Sequence, residues 1–309
     1  MLKQGSAEFR IPEALRVSLF KSRRVQLQFC ATLLFALALA LPQPLVCQQN
    51  TGQPNTAADF TSDQIFRPPM ADPTEPASRI RYGGRYLDFG LALPLAVYTS
   101  ESTNSTWQIG FLGGITAGFG SQRTTLYLRA ADFHAGIPVS FRKGKFSTRI
   151  EFYHVSSHLG ADYEEISGFR PFHYSREELE GLVAYDAPHH VRIYGGPRFL
   201  VRTYPHVGRW TFQAGTEWTP PSLAGHHWHF YLADDFQTRE EVSWRTNISV
   251  EPGIQWTTRK KEPVARIEAW FYSGQQPFGE LYQQREHVIG AQLVFTLEPA
   301  IKSLITRRH

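Results

Sequence analysis

The stretch from Phe146 to His158 holds the residues whose types and spacing point most directly to chemistry. His154 and Ser156 stand two apart, and on an extended chain residues i and i+2 project to the same side. An imidazole placed there can take the proton of the neighbouring hydroxyl and turn it into a nucleophile. A third group must then hold the imidazole in one orientation. On the next extended segment Leu179, Val183 and Tyr185 mark one face, and the same parity carried backward reaches Glu177. Hairpin pairing brings that carboxylate near His154 and Ser156, which gives a nucleophile (Ser156), a base (His154) and an orienter (Glu177). The competing expectation is structural, since Tyr, His and Ser also crowd the interface belts of membrane barrels. That non-enzymatic expectation is the preferred one.

Two further groups have suggestive spacing. Asp132 and His134 share a face opposite Phe133, Ile137 and Val139, and Arg149 and Glu151 share a face opposite Phe146, Ile150 and Phe152. These four predict a polar network that fills and stiffens the interior of a small barrel. His227 and His229 share a face at i and i+2 and are weak candidates for Zn or Ni. With no acidic or cysteine partner at a telling spacing, they read as part of a strand-end aromatic and histidine belt, and no metal is expected. The chain has no P-loop, dinucleotide fingerprint or zincin sequence, so no cofactor is expected either.

The elements that must position these residues are strands. In the segment Arg85 to Tyr98 the residues Leu87, Phe89, Leu91, Leu93, Leu95 and Val97 alternate with small or polar ones, and Trp107 to Gly120 repeats the pattern. No window carries a long helical stripe. Bulky apolar residues facing out and small or polar ones facing in is the pattern of a lipid-facing barrel strand. A soluble sandwich has the same period with the apolar face turned inward. The expected fold is all-β, a single antiparallel transmembrane β-barrel of about 12 strands. Placing the end of the last strand in the periplasm puts the long connections 275–286 and 159–176 outside and basic turns such as Arg142-Lys-Gly-Lys145 inside, with 99–106 a longish inner turn.

The export signal favours the barrel. Lys21, Arg23 and Arg24 precede the apolar run 29–41, which Pro42 ends, and that run is too short to span a bilayer as a helix. Residues 1–47 are therefore expected to be a signal peptide, with cleavage near Cys47. A lipoprotein box at Leu45-Val46-Cys47 and a retained anchor are the alternatives. Residues 48–78, rich in Gln, Asn, Thr and Pro, lack any period and read as a disordered polar linker or periplasmic arm. The barrel is expected over 79–298, followed by a short tail, 299–309. The two cysteines, Cys30 and Cys47, precede the folded region, which excludes a disulfide framework. The net charge of +4 comes largely from the N-terminal segment and from Arg307 and Arg308, so no nucleic-acid stripe is expected. Expected partners are outer-membrane lipids and the barrel assembly machinery, with the oligomeric state open.

The run Ala71-Asp-Pro-Thr-Glu-Pro76, with Trp107-Gln-Ile-Gly110, Tyr153-His-Val-Ser-Ser-His-Leu-Gly160, Tyr194-Gly-Gly196 and Pro277-Phe-Gly-Glu-Leu-Tyr282, resembles the exported bacterial family called domain of unknown function 1207. The resemblance covers nearly everything after the signal segment. It implies a signal peptide and an all-β body but no particular activity. Locally, the His-x-Ser pattern is similar to the His-x-Ser-Asn motif of outer-membrane phospholipase A and the lipid A 3-O-deacylase. Those families place the site on the barrel exterior and take the orienter from the next strand, which would make this chain an outer-leaflet lipid ester hydrolase. Ser157 stands where they have Asn. The resemblance would bring Ca²⁺ only through the phospholipase, and no ligand set in this chain supports it.

Overall fold

An alternating segment crosses a bilayer as a strand once it reaches about 9–11 residues, provided that its backbone groups pair on both sides. Twelve strands meet that second demand by closing on themselves. The computed structural model describes residues 64–122, 125–221, 227–257, 263–277 and 279–295. The expected signal segment, residues 48–63 of the expected arm and the tail 299–309 lie outside the described residues.

In chain order the strands are β1 (Ser78–Tyr82), β2 (Tyr86–Ser100), β3 (Ser105–Gln122), β4 (Thr125–Lys143), β5 (Phe146–Leu159), β6 (Tyr174–Ala187), β7 (Val191–Tyr204), β8 (Trp210–Trp218), β9 (Trp228–Arg239), β10 (Arg245–Thr257), β11 (Pro263–Gln275) and β12 (Arg285–Phe295). Each pairs antiparallel with the next, and β1 pairs with β12 to close the barrel. A short helix, α1 (Ala161–Ser167), sits in the long connection between β5 and β6. Tight turns at 101–104 and 144–145 alternate with this connection and with 276–284 at the opposite end. Gly144, at φ +56°, supplies the left-handed residue that the two-residue β4–β5 turn requires.

The polarity of the wall is inverted relative to a soluble protein. Ile150 is 58% exposed, while its neighbours Arg149 and Glu151 are 4% and 1% exposed. Phe89, Ile137, Phe152, Val183, Phe212 and Ile267 likewise point outward, and Arg81, Asp88, Glu180, Arg198, Glu217 and Gln255 point inward and are buried. A lumen of charged and amide side chains within an apolar exterior is the architecture of a transmembrane β-barrel. The sandwich alternative falls with it. Among the described residues no helix is long and apolar enough to cross a membrane.

Two details depart from the sequence reading. The connection 99–106 shrinks to the turn 101–104, because β2 and β3 stay paired as far as Ser100 and Ser105. Finally, residues 64–77 of the expected arm are folded into the lumen.

Candidate functional site

The exterior candidate is built by strand register. On β5 and β6 His154 pairs directly with Glu177, and β7 adds Arg202 opposite Glu177, so the three form a row across three strands. His154 Nδ1 lies 3.6 Å from Glu177 Oε1, with 45% and 23% of their side chains exposed. Arg202 Nε lies 3.9 Å from the other carboxylate oxygen. Ser156, two residues along β5, shares the outward face and is half-buried between Phe133 and Ser175 in the register. The hydrogen bonds of the described residues include none between Ser156 and His154. The structure thus brings base and orienter together and leaves the hydroxyl beside them, at the barrel end that carries the long connections. Ser157 has the opposite parity and belongs to the lumen, where it is 1% exposed and donates to Asp132 Oδ1 at 2.5 Å.

The lumen is the second candidate, and its organiser went unrecognised in the sequence. Residues 64–77 thread into the barrel as a plug. Phe66 packs on Leu182, Ala184 and Tyr194, its ring between the guanidiniums of Arg149 and Arg192 at 5.2 and 4.9 Å. Met70 and Ala71 pack on Tyr231 and Ala233, and the Met70 N–H donates to Glu217 at 2.9 Å. Asp72, with no exposure at all, accepts from Arg198 at 2.5 Å, from Gln213 and Gln237 at 2.9 Å each, and from the N–H and hydroxyl of Thr74. Glu75 accepts both terminal nitrogens of Arg149 at 2.6 and 2.7 Å, the bidentate geometry that suits a carboxylate best. Glu180 on β6 joins the two arrangements by pairing with Arg149 and Arg198, each at 2.7 Å.

The four lumen residues expected from the sequence all face inward, but they do not form one group. Arg149 and Glu151 lie 3.6 Å apart, and His134 Nε2 is 3.1 Å from Glu151. Asp132 instead binds Ser157 and the backbone N–H of Gly279, at 2.7 Å, in the connection between β11 and β12. The weak metal candidates are separated. His229 is buried in the lumen wall, and His227 is exposed before β9 begins. Among the described residues no three His, Cys, Asp or Glu side chains are grouped to hold a metal ion. The plug residues gave one signal in the sequence, the acidic pair Asp72 and Glu75 amid prolines, but a segment without a period reads as a linker whether it lies in solvent or in a lumen.

The family model described as protein of unknown function (DUF1207) matches residues 55–297. No curated protein is matched. Among solved structures, the chain is similar to outer membrane phospholipase A from Escherichia coli at 14% identity and a TM-score of 0.47, over 68% of this chain and 77% of that one. It is also similar to a mutant of Rh. blastica porin at 6% identity and a TM-score of 0.29, over 68% of this chain and 89% of that one. Likenesses this distant carry no argument about what the chain does. The family match spans most of the sequence, and by it the chain belongs to the family described as protein of unknown function, DUF1207.

Proposed function

We propose that this protein is an outer-membrane barrel sealed by its own residues 64–77, which serves the bacterial envelope from its two faces and does not act as a diffusion pore. The carrying observation is Asp72, a fully buried plug carboxylate bound by donors from β7, β8 and β9 at once. Outer-membrane placement is supported by the apolar exterior and polar lumen, and export by the apolar run 29–41 behind Lys21, Arg23 and Arg24. The lipids of that membrane would surround the apolar band, and the barrel assembly machinery would insert it. The longest connection, 160–173, shares one end with 276–284, which supports the orientation that puts both outside. The test is fractionation with heat-modifiability on a gel, followed by conductance in a planar bilayer. Outer-membrane recovery with no conductance steps is the expected result, and steady steps of porin size would overturn the sealed reading.

A second reading is favoured by one observation, the 3.6 Å approach of His154 to Glu177 on the exterior with Ser156 on the same face. In that reading the protein is a serine-type lipid ester hydrolase of the outer leaflet, with His154 drawing the Ser156 proton as the hydroxyl attacks the ester carbonyl. A fluorophosphonate probe labels Ser156 in this case alone. Unlabelled folded protein leaves the sealed barrel as the whole account.

A further inference from the structure

Between the plug and the 276–284 connection the lumen holds a cavity of about 100 Å³, lined by Asp72 and residues 74–77 of the plug and by Pro277 of the connection. It has room for roughly seven to ten water-sized groups. We infer that this cavity is a binding site for a small organic cation, a primary ammonium compound of that size.

Seven carboxylates and four guanidiniums line the cavity. All four guanidiniums are already engaged: Arg149 with Glu75 and Glu180, Arg198 with Asp72 and Glu180, and Arg176 and Arg239 with Glu241. Among the described residues, Asp132 and Glu178 are cavity carboxylates in no ion pair. Asp132 accepts from a serine hydroxyl and a backbone N–H, and Glu178 accepts from the hydroxyl of Tyr153 at 2.8 Å. Arg176 lies near enough to act on both, but the lining still carries three more carboxylates than guanidiniums, an excess that favours a cation in the space they face.

A second observation is independent of the acids. Tyr174 lines the same cavity and is only 6% exposed, yet among the described residues its hydroxyl has no hydrogen-bond partner. An ammonium group carries three donors and no acceptor. Asp132, Glu178 and the Tyr174 hydroxyl offer three acceptors in one cavity. The His134 ring, stacked on Tyr153 at 4.5 Å, supplies a flat wall for the methylenes. An anion would face a lining in which carboxylates outnumber guanidiniums by seven to four. A bound metal ion is a poor fit, because no three ligating side chains converge among the described residues.

The inference does not depend on the proposed location or on the exterior site, and the full chain folded in detergent tests it. Calorimetry with ethanolamine is expected to show saturable binding of one molecule per chain, while acetate and glycerol show none. Glu178→Gln is expected to weaken binding at least tenfold, and the outward-facing Val183→Ala to leave it unchanged, with heat-modifiability confirming that each variant is folded. If Glu178→Gln does not fold, Tyr174→Phe replaces it, with a weakening of threefold or more expected. Absence of saturable ethanolamine binding, equal binding of acetate, or full affinity in a folded Glu178→Gln variant overturns the inference.

Discussion

Asp72 and Arg198 meet at 2.5 Å with 0% and 9% of their side chains exposed, joining the segment that fills the lumen to the wall around it. Removing one partner of a buried pair costs about 3–5 kcal/mol. Asp72→Ala is expected near the lower end, because Arg198 keeps Glu180 at 2.7 Å. The loss falls on the docking of the plug more than on the barrel, whose strands remain paired. Conductance steps should appear in planar bilayers, and amides of 64–77 should exchange faster, while the heat-modifiable mobility shift is retained.

The inverted wall predicts a dependence on depth. Phe152, 49% exposed at the middle of β5, is expected to meet hydrocarbon, and an arginine at a bilayer midplane costs about 2–4 kcal/mol. Trp107 lies near the tight-turn end of β3, where the same change costs about 0–1 kcal/mol. Urea midpoints for refolding into vesicles should therefore fall clearly for Phe152→Arg and little for Trp107→Arg. Large and equal losses would mean that both side chains lie in a protein core.

Strand number and facing were legible because period-two alternation is a local property. Leu87, Phe89 and Leu91 against Asp88 and Gly90 state the facing of β2 without reference to any neighbour. The pairing of His154 with Glu177 was legible for the same reason, since a hairpin converts parity into proximity. The plug was not. Asp72 and Glu75 are defined by Arg198, Gln213, Gln237 and Arg149, all more than 70 residues away in sequence, and an irregular segment carries no period that would reveal such partners. The docking of Gly279 was hidden likewise. An added Cβ there would lie 2.1 Å from Ser157 Cβ, a close approach that no local pattern announces.

If the exterior row is catalytic, its members should separate kinetically. Ser156→Ala and His154→Ala are expected to abolish lipid ester hydrolysis and fluorophosphonate labelling. Glu177→Gln keeps the hairpin register but weakens the hold on the imidazole, and should lower kcat by roughly 10² or more with little change in KM. Equal turnover in Glu177→Gln and the parent would leave the 3.6 Å approach as a structural contact of the interface belt and nothing further.

The 276–284 connection should loosen as the pH rises. The Glu280 N–H donates to Ser157 Oγ at 3.1 Å, and a Glu280 carboxylate oxygen accepts from the Phe172 N–H at 3.2 Å. Burial above all, with Asp132 and Glu164 nearby, pushes the Glu280 carboxyl from its ordinary 4.5 up to about 7. A raised carboxyl in the docked state means that docking binds a proton, so its contribution is complete below about 4.5 and is lost as the pH climbs through about 7. A nitroxide on a Gln283→Cys variant that also carries Cys30→Ser and Cys47→Ser should report a segment more mobile at pH 8 than at pH 5. Glu280→Gln removes the titrating group and should flatten that difference. If the pH dependence is unchanged in Glu280→Gln, another group controls the connection.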